Sequence, residues 1–117
     1  MKPECAATIF HVSNLESSVK YYTDVLGFTV DFQYGELAGL QYDSVLVHLS
    51  GPNPQVLKKA VGEGHIYIFC DEVDVYFQEI SAKGAFINIP PDDRAYGMRD
   101  FAISDPDGNV LAFGKAT

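Results

Sequence analysis

Two rhythms of apolar residues follow one another along the first half of the chain. Residues 6–12, AATIFHV, are β-prone, and they lead into SNLESSVKYYTDVLGF, where Leu15, Val19, Tyr22 and Leu26 recur at helical spacing. Ser13 with Glu16 three residues on reads as a capping box, and Gly27 stands where a left-handed residue would end the helix. FTVDFQY, LAGLQYD and SVLVHLS then follow as three strands, parted by turn signals at Gly35-Glu36 and Asp43-Ser44.

The same order starts again at His65. HIYIFC reads as a strand, and DEVDVYFQEISAKG as a helix with Val73, Phe77 and Ile80 on one face and Gly84 as its stop. AFINIPP, MRDFAISD and NVLAFGK supply three more strands, the last two joined by the turn DPDGN, in which Gly108 or Asn109 takes positive φ. The expected fold class is α+β: two tandem β-α-β-β-β modules forming a curved sheet around a cleft. Module 1 runs over about residues 5–50 and module 2 over about 65–117 of a single 1–117 domain. The linker, about 51–64, carries two prolines and three glycines and leaves room for a short helical turn.

Side chains alternate along a strand, so the aliphatic sets Phe10/Val12, Val45/Val47/Leu49, Ile66/Ile68 and Leu111/Phe113 are expected to pack under the helices. The opposite sides then carry His11, His48 and His65, the three histidines of the chain, and are expected to line one cavity together with Tyr67 and Phe69. Phe32, Tyr34, Tyr42 and Tyr96 are further candidates for its wall, and Arg99 for placing a bound molecule.

Composition narrows the function. A net charge of -8 without a cluster of Lys or Arg argues against a nucleic-acid partner, and no stretch approaches the ~20 apolar residues of a membrane helix. Cys5 and Cys70 are too few for a disulfide framework, and the opening MKPECAATIF does not read as a secretory signal, so a cytoplasmic, reducing setting is expected. Asp105 and Asp107 within DPDGN lack the terminal glutamate of a calcium loop and read as turn residues. The acidic Asp71 and Glu72 beside Cys70 oppose an activated thiol.

VSNLESSVKYYTDVLGF, GHIYIFCDEVDVYFQEISAKG and RDFAISDPDGNVLAF together resemble the vicinal oxygen chelate superfamily of glyoxalases, extradiol dioxygenases and bleomycin-resistance proteins. The likeness extends over nearly the whole chain and implies a homodimer. Metal-dependent members place one ligand on each of the first, fourth, fifth and eighth strands, which correspond here to Ala7, His48, His65 and Ala112. Two of these residues can bind a metal and two cannot. A catalytic ion normally takes three protein ligands, so no cofactor is favoured and His48 and His65 read as vestigial metal positions.

MRDFAISDPDGNVLAF looks like the closing segment of the bleomycin-resistance branch. The resemblance therefore implies a metal-free small-molecule-binding protein that sequesters an aromatic or cationic ligand in a dimer-interface cleft. Its ligand-binding residues would be His11, His48, His65, Tyr67, Phe69, Tyr96 and Arg99. The alternative is a metal-dependent lyase, isomerase or dioxygenase holding a divalent metal, completed by a ligand such as Glu4 or Glu63. A metal-free scheme with His48 or His65 as general base also stays open.

Overall fold

A computed structural model describes residues 1–117. Eight strands and two helices follow in the order β1 (Ala7–His11), α1 (Leu15–Lys20), β2 (Thr29–Tyr34), β3 (Leu37–Tyr42), β4 (Val45–Ser50), β5 (His65–Phe69), α2 (Val73–Ala82), β6 (Phe86–Asp93), β7 (Met98–Ser104) and β8 (Val110–Ala116). The two-module order expected from the sequence is therefore present. Each module folds as its own four-stranded mixed sheet, β1-β4-β3-β2 and β5-β8-β7-β6, with the parallel pairs β1/β4 and β5/β8 flanked by hairpins.

Local chemistry explains the element ends, with corrections to the sequence reading. Asn14, not Ser13, caps α1: its side chain accepts from the Ser17 N–H at 2.9 Å. Ser13 instead donates to Asp107 of the other module, so no Ser13/Glu16 capping box forms. After Lys20 the helix loosens into a π-helical turn, Tyr21–Val25, before Gly27 at φ +86 reverses the chain. Gly84, at φ +94, ends the second helical segment as its position in sequence suggests. The linker contains only turns and bends, its prolines and glycines leaving no helical turn. Pro90 and Pro91 lack N–H donors, and β6 is an edge strand whose register against β7 slips between Ile87 and Asp92.

One core serves both modules. Phe10, Val12, Val47 and Leu49 of the first sheet and Ile68, Leu111 and Phe113 of the second are buried with Tyr22, Leu26, Val73 and Ile80 in a single cluster, on the faces the alternation assigned to the helices. A chain of aromatic contacts crosses the module boundary: Phe28 meets Tyr42 edge-on at 5.6 Å, Tyr42 meets Tyr76 at 6.0 Å, and Tyr76 lies 4.9 Å from Phe113. Tyr42 thus belongs to the helix side of its sheet, not to the wall of the histidine-bearing face, because it shares a side with buried Leu40 two residues back.

Buried polar groups fasten the modules as well. Asp105 accepts from Tyr22 Oη at 2.9 Å, from Asn109 Nδ2 at 2.9 Å and from the N–H groups of Asp107 and Asn109. The Asn109 amide also donates to the His11 carbonyl and accepts from the Gly64 N–H. The DPDGN turn is accordingly a latch: Gly108 takes positive φ while Asn109 contributes its side chain.

The unpaired edges of the two sheets, β1 and β5, face each other. Gly62 N–H donates to the His11 carbonyl at one end, while toward the other a groove lined by Ala6–Thr8, Ser44–Leu46 and Ile66–Phe69 keeps the edges apart, and no ladder joins them. With a shared core on one side, both sheets turn their other faces the same way, giving a slab 41 × 39 × 23 Å with one open side. No helix is long and apolar enough to cross a membrane.

Candidate functional site

The open side carries the residues of interest, placed there by register. In the first sheet Ile9 stands beside His48, which stands beside Gly39, which stands beside Phe32. A Cβ on Gly39 would overlap the Phe32 ring, so glycine lets that ring lie flat across β3 and meet His48 edge-on at 5.3 Å. His11, at the end of β1, is engaged through Nδ1 with the Lys59 carbonyl at 3.0 Å, so the linker covers this end of the face.

In the second sheet His65 stands beside Val110, Tyr67 beside Ala112 and Phe69 beside Gly114. Tyr67 leans across Gly114, where a Cβ would overlap its hydroxyl, and donates to Asp100 Oδ2 at 2.8 Å. Asp100 is buried and also accepts from Tyr96 Oη at 2.5 Å and Arg94 Nε at 2.8 Å. Arg94 is held further by donating to the carbonyls of Pro90 and Asp100.

The charge state of this cluster follows from competing effects. Burial pushes the Asp100 carboxyl up, but the donors Arg94, Tyr96 and Tyr67 outweigh it and hold the group below its ordinary value. The Tyr67 phenol is pushed up to about 12, by desolvation first and then by its bond to Asp100 and the charge there. Tyr96 moves the same way, chiefly through its bond to Asp100. At neutral pH the cluster is an ionised carboxylate balanced by one guanidinium under two neutral phenols.

These placements revise the expected site. His11, His48, His65, Tyr67 and Phe69 lie on the open side, and Tyr96 reaches it from the β6–β7 turn. No histidine lines the groove between β1 and β5, and the three stand on separate strands, His11 on β1, His48 on β4 and His65 on β5. Arg99 is on the other side: it forks onto Asp74 of α2 with two bonds of 2.9 Å and reaches Asp93 at 3.3 Å. Its place on the open side is taken by Asp100 and, through the turn, by Arg94. Phe101 and Ile103 are both buried, so alternation along β7 already assigns Arg99 to their side. That signal was in the sequence; the bond from Arg94 back to Asp100 was not.

The superfamily's metal finds a poor donor set within the chain. Ala7, His48, His65 and Ala112 all stand on the open side, and the residues beside the two histidines are Ile9, Gly39 and Val110. No group of three His, Cys, Asp or Glu side chains is placed so that it could hold a metal ion. What the open side offers instead is aromatic surface, with Tyr34 83% exposed, Phe69 76% and Tyr96 67%.

Known proteins resemble this chain in sequence or in fold. A bleomycin resistance protein from Geobacillus stearothermophilus is 27% identical, over 87% of this chain and 89% of the relative. The antibiotic-binding protein TnmS3 from Streptomyces sp. CB03234 superposes with a TM-score of 0.81 at 20% identity, over 99% of this chain and 98% of that one. A lactoylglutathione lyase from Agrobacterium tumefaciens does so with a TM-score of 0.79 at 25% identity, over 97% and 96%. The family model for the glyoxalase/bleomycin resistance protein/dioxygenase superfamily matches residues 6–113, and the chain belongs to that superfamily.

Proposed function

We propose that the protein binds and sequesters a small molecule without the help of a metal, on the open side of its two sheets, in a cleft completed by a second copy of the chain. The observation that carries this reading is the pairing of aromatic surface with absent donors: Phe32, Phe69 and Tyr96 are exposed, with Tyr67 half-buried among the open-side residues, while Ala7 and Ala112 stand at the positions that the superfamily resemblance gives to metal ligands. Stacking on exposed rings suits a flat aromatic ligand, and the unpaired edges and uncovered face give a second copy something to bury. The resemblance to bleomycin resistance and antibiotic-binding proteins supports the same reading. His48, His65, Tyr67, Phe69, Tyr96 and Arg94 are the residues assigned to the ligand.

Two measurements test it. Light scattering of the purified protein is expected to give a dimer, and a thermal-shift screen of planar aromatic and glycopeptide antibiotics is expected to give a hit whose shift is lost in Tyr67→Ala, since a ligand that binds only the native state raises Tm. A monomer with no response would overturn the proposal. The lyase relative motivates the rival, a metal-dependent lyase, isomerase or dioxygenase. Metal analysis of untagged protein decides between them: a stoichiometric, tightly held divalent ion, lost in His48→Ala or His65→Ala, would establish the rival.

A further inference from the structure

On the helix side, where the β3–β4 turn approaches the start of α2, the two modules leave a cavity of about 650 Å³ between them. Its volume lies within the ~300–1,000 Å³ typical of small-molecule sites. The aromatic chain of Phe28, Tyr42, Tyr76 and Phe113 walls it. Of the residues assigned above to the open-side ligand only Phe69, at the corner, also touches it.

Its charge is of one sign. Asp43 from the β3–β4 turn, Asp71 and Glu72 from the loop before α2, and Glu79 from within α2 all line it, and no Lys, Arg or His does. None of the four is in an ion pair, whereas Asp74 on the same helix is forked by Arg99. All four are exposed, so solvent screens their mutual repulsion, but four like charges drawn from three separate segments still give the mouth of the cavity a negative potential. A cation inserted there relieves that repulsion and meets ring faces that attract it. Hydrated sodium lacks the apolar body to fill such a space, whereas an organic cation supplies both parts.

We propose that this inter-module cavity is a second binding site, for small organic cations with an apolar body such as quaternary ammonium compounds. It is separate from the open-side cleft and does not depend on that reading. An occupant would bridge the modules, since Tyr42 and Asp43 belong to one and Glu72 and Tyr76 to the other.

Phenyltrimethylammonium is a suitable probe, with tert-butylbenzene as its uncharged counterpart. Titration of the full chain followed by two-dimensional NMR is expected to move resonances of Tyr42, Asp43, Cys70, Val75 and Tyr76. Removing two charges in an Asp43→Asn/Glu72→Gln double variant is expected to weaken binding about ten-fold, from ~0.7 kcal/mol for each charge at a partly solvated distance. The same titration in rising salt is expected to show affinity falling, a readout independent of any variant. Unchanged affinity in the double variant, a flat salt response, equal binding of the uncharged probe, or shifts centred on Phe32, His48 and Tyr67 would each overturn the proposal.

Discussion

Tyr67 and Asp100 are joined across the open side by a 2.8 Å hydrogen bond that passes over Gly114, linking the edge strand β5 to β7 above the strand that lies between them. The bond fixes a half-buried aromatic ring of the open side to a buried carboxylate. Removing the hydroxyl in Tyr67→Phe leaves Asp100 with two side-chain donors in place of three. The expected cost is about 1 kcal/mol, lowering Tm by roughly 3–6 °C, to be read from urea and thermal unfolding with an unchanged m value.

The same pair sets two limits of pH stability. The Asp100 carboxyl is held below its ordinary value, so the stability it lends is full above the unfolded carboxylate pKa of about 3.9 and is lost as pH falls through the lower folded value. For Tyr67, raised to about 12, the stability is full below the unfolded phenol value and is lost as pH rises through the folded one. Urea midpoints between pH 7 and pH 2.5 are expected to fall less steeply in Asp100→Asn than in the parent. The late tyrosinate amplitude in the ultraviolet titration is expected to fall by one phenol in Tyr67→Phe, with the raised phenols of Tyr21, Tyr22, Tyr76 and Tyr96 remaining.

Gly114 is required by close approach. A Cβ there would overlap the Tyr67 hydroxyl and stand 2.9 Å from Asp100 Cβ. Gly114→Ala is expected to swing Tyr67 off Asp100 and cost about 1–3 kcal/mol by overpacking. A double-mutant cycle with Tyr67→Phe should show the two effects to be non-additive, because both break the same bond.

The Tyr22–Asp105 bond holds the modules through the buried DPDGN latch. Asp105→Ala would strand the Tyr22 hydroxyl, one N–H of the Asn109 amide and two backbone N–H groups, and is expected to cost about 3–5 kcal/mol, enough to unfold a marginal domain. Tyr22→Phe leaves the other donors in place and is expected to cost about 1 kcal/mol. Equal losses in the two variants would show that the latch does not work through Asp105.

Arg99 and Arg94 provide a contrast within one hairpin. Arg99→Gln is expected to leave the affinity for an open-side ligand unchanged, because its fork is spent on Asp74 on the helix side. Arg94→Gln removes the only cation balancing Asp100 and is expected to weaken that ligand and loosen the β6–β7 turn. Calorimetry with the ligand found by thermal shift checks both, and a reversed order would return Arg99 to the site.

The order of elements, the helix stops at Gly27 and Gly84, the division of β1, β4, β5 and β8 into a core face and an open face, and the alanines at two metal positions were all legible in the chain itself. Each depends on local periodicity or on the conformational freedom of one residue, and neither needs a distant partner. Tertiary structure decided the rest. Ser13 abandons its helix for Asp107, ninety-four positions away, and Arg94 folds back on Asp100 through a turn. Tyr42 completes an aromatic chain between modules, and Asp43 and Glu72 come to line one cavity. These contacts arise because two sheets must bury one face in a common core, and which side chains then meet at the seam depends on how the modules dock, not on the rhythm of either.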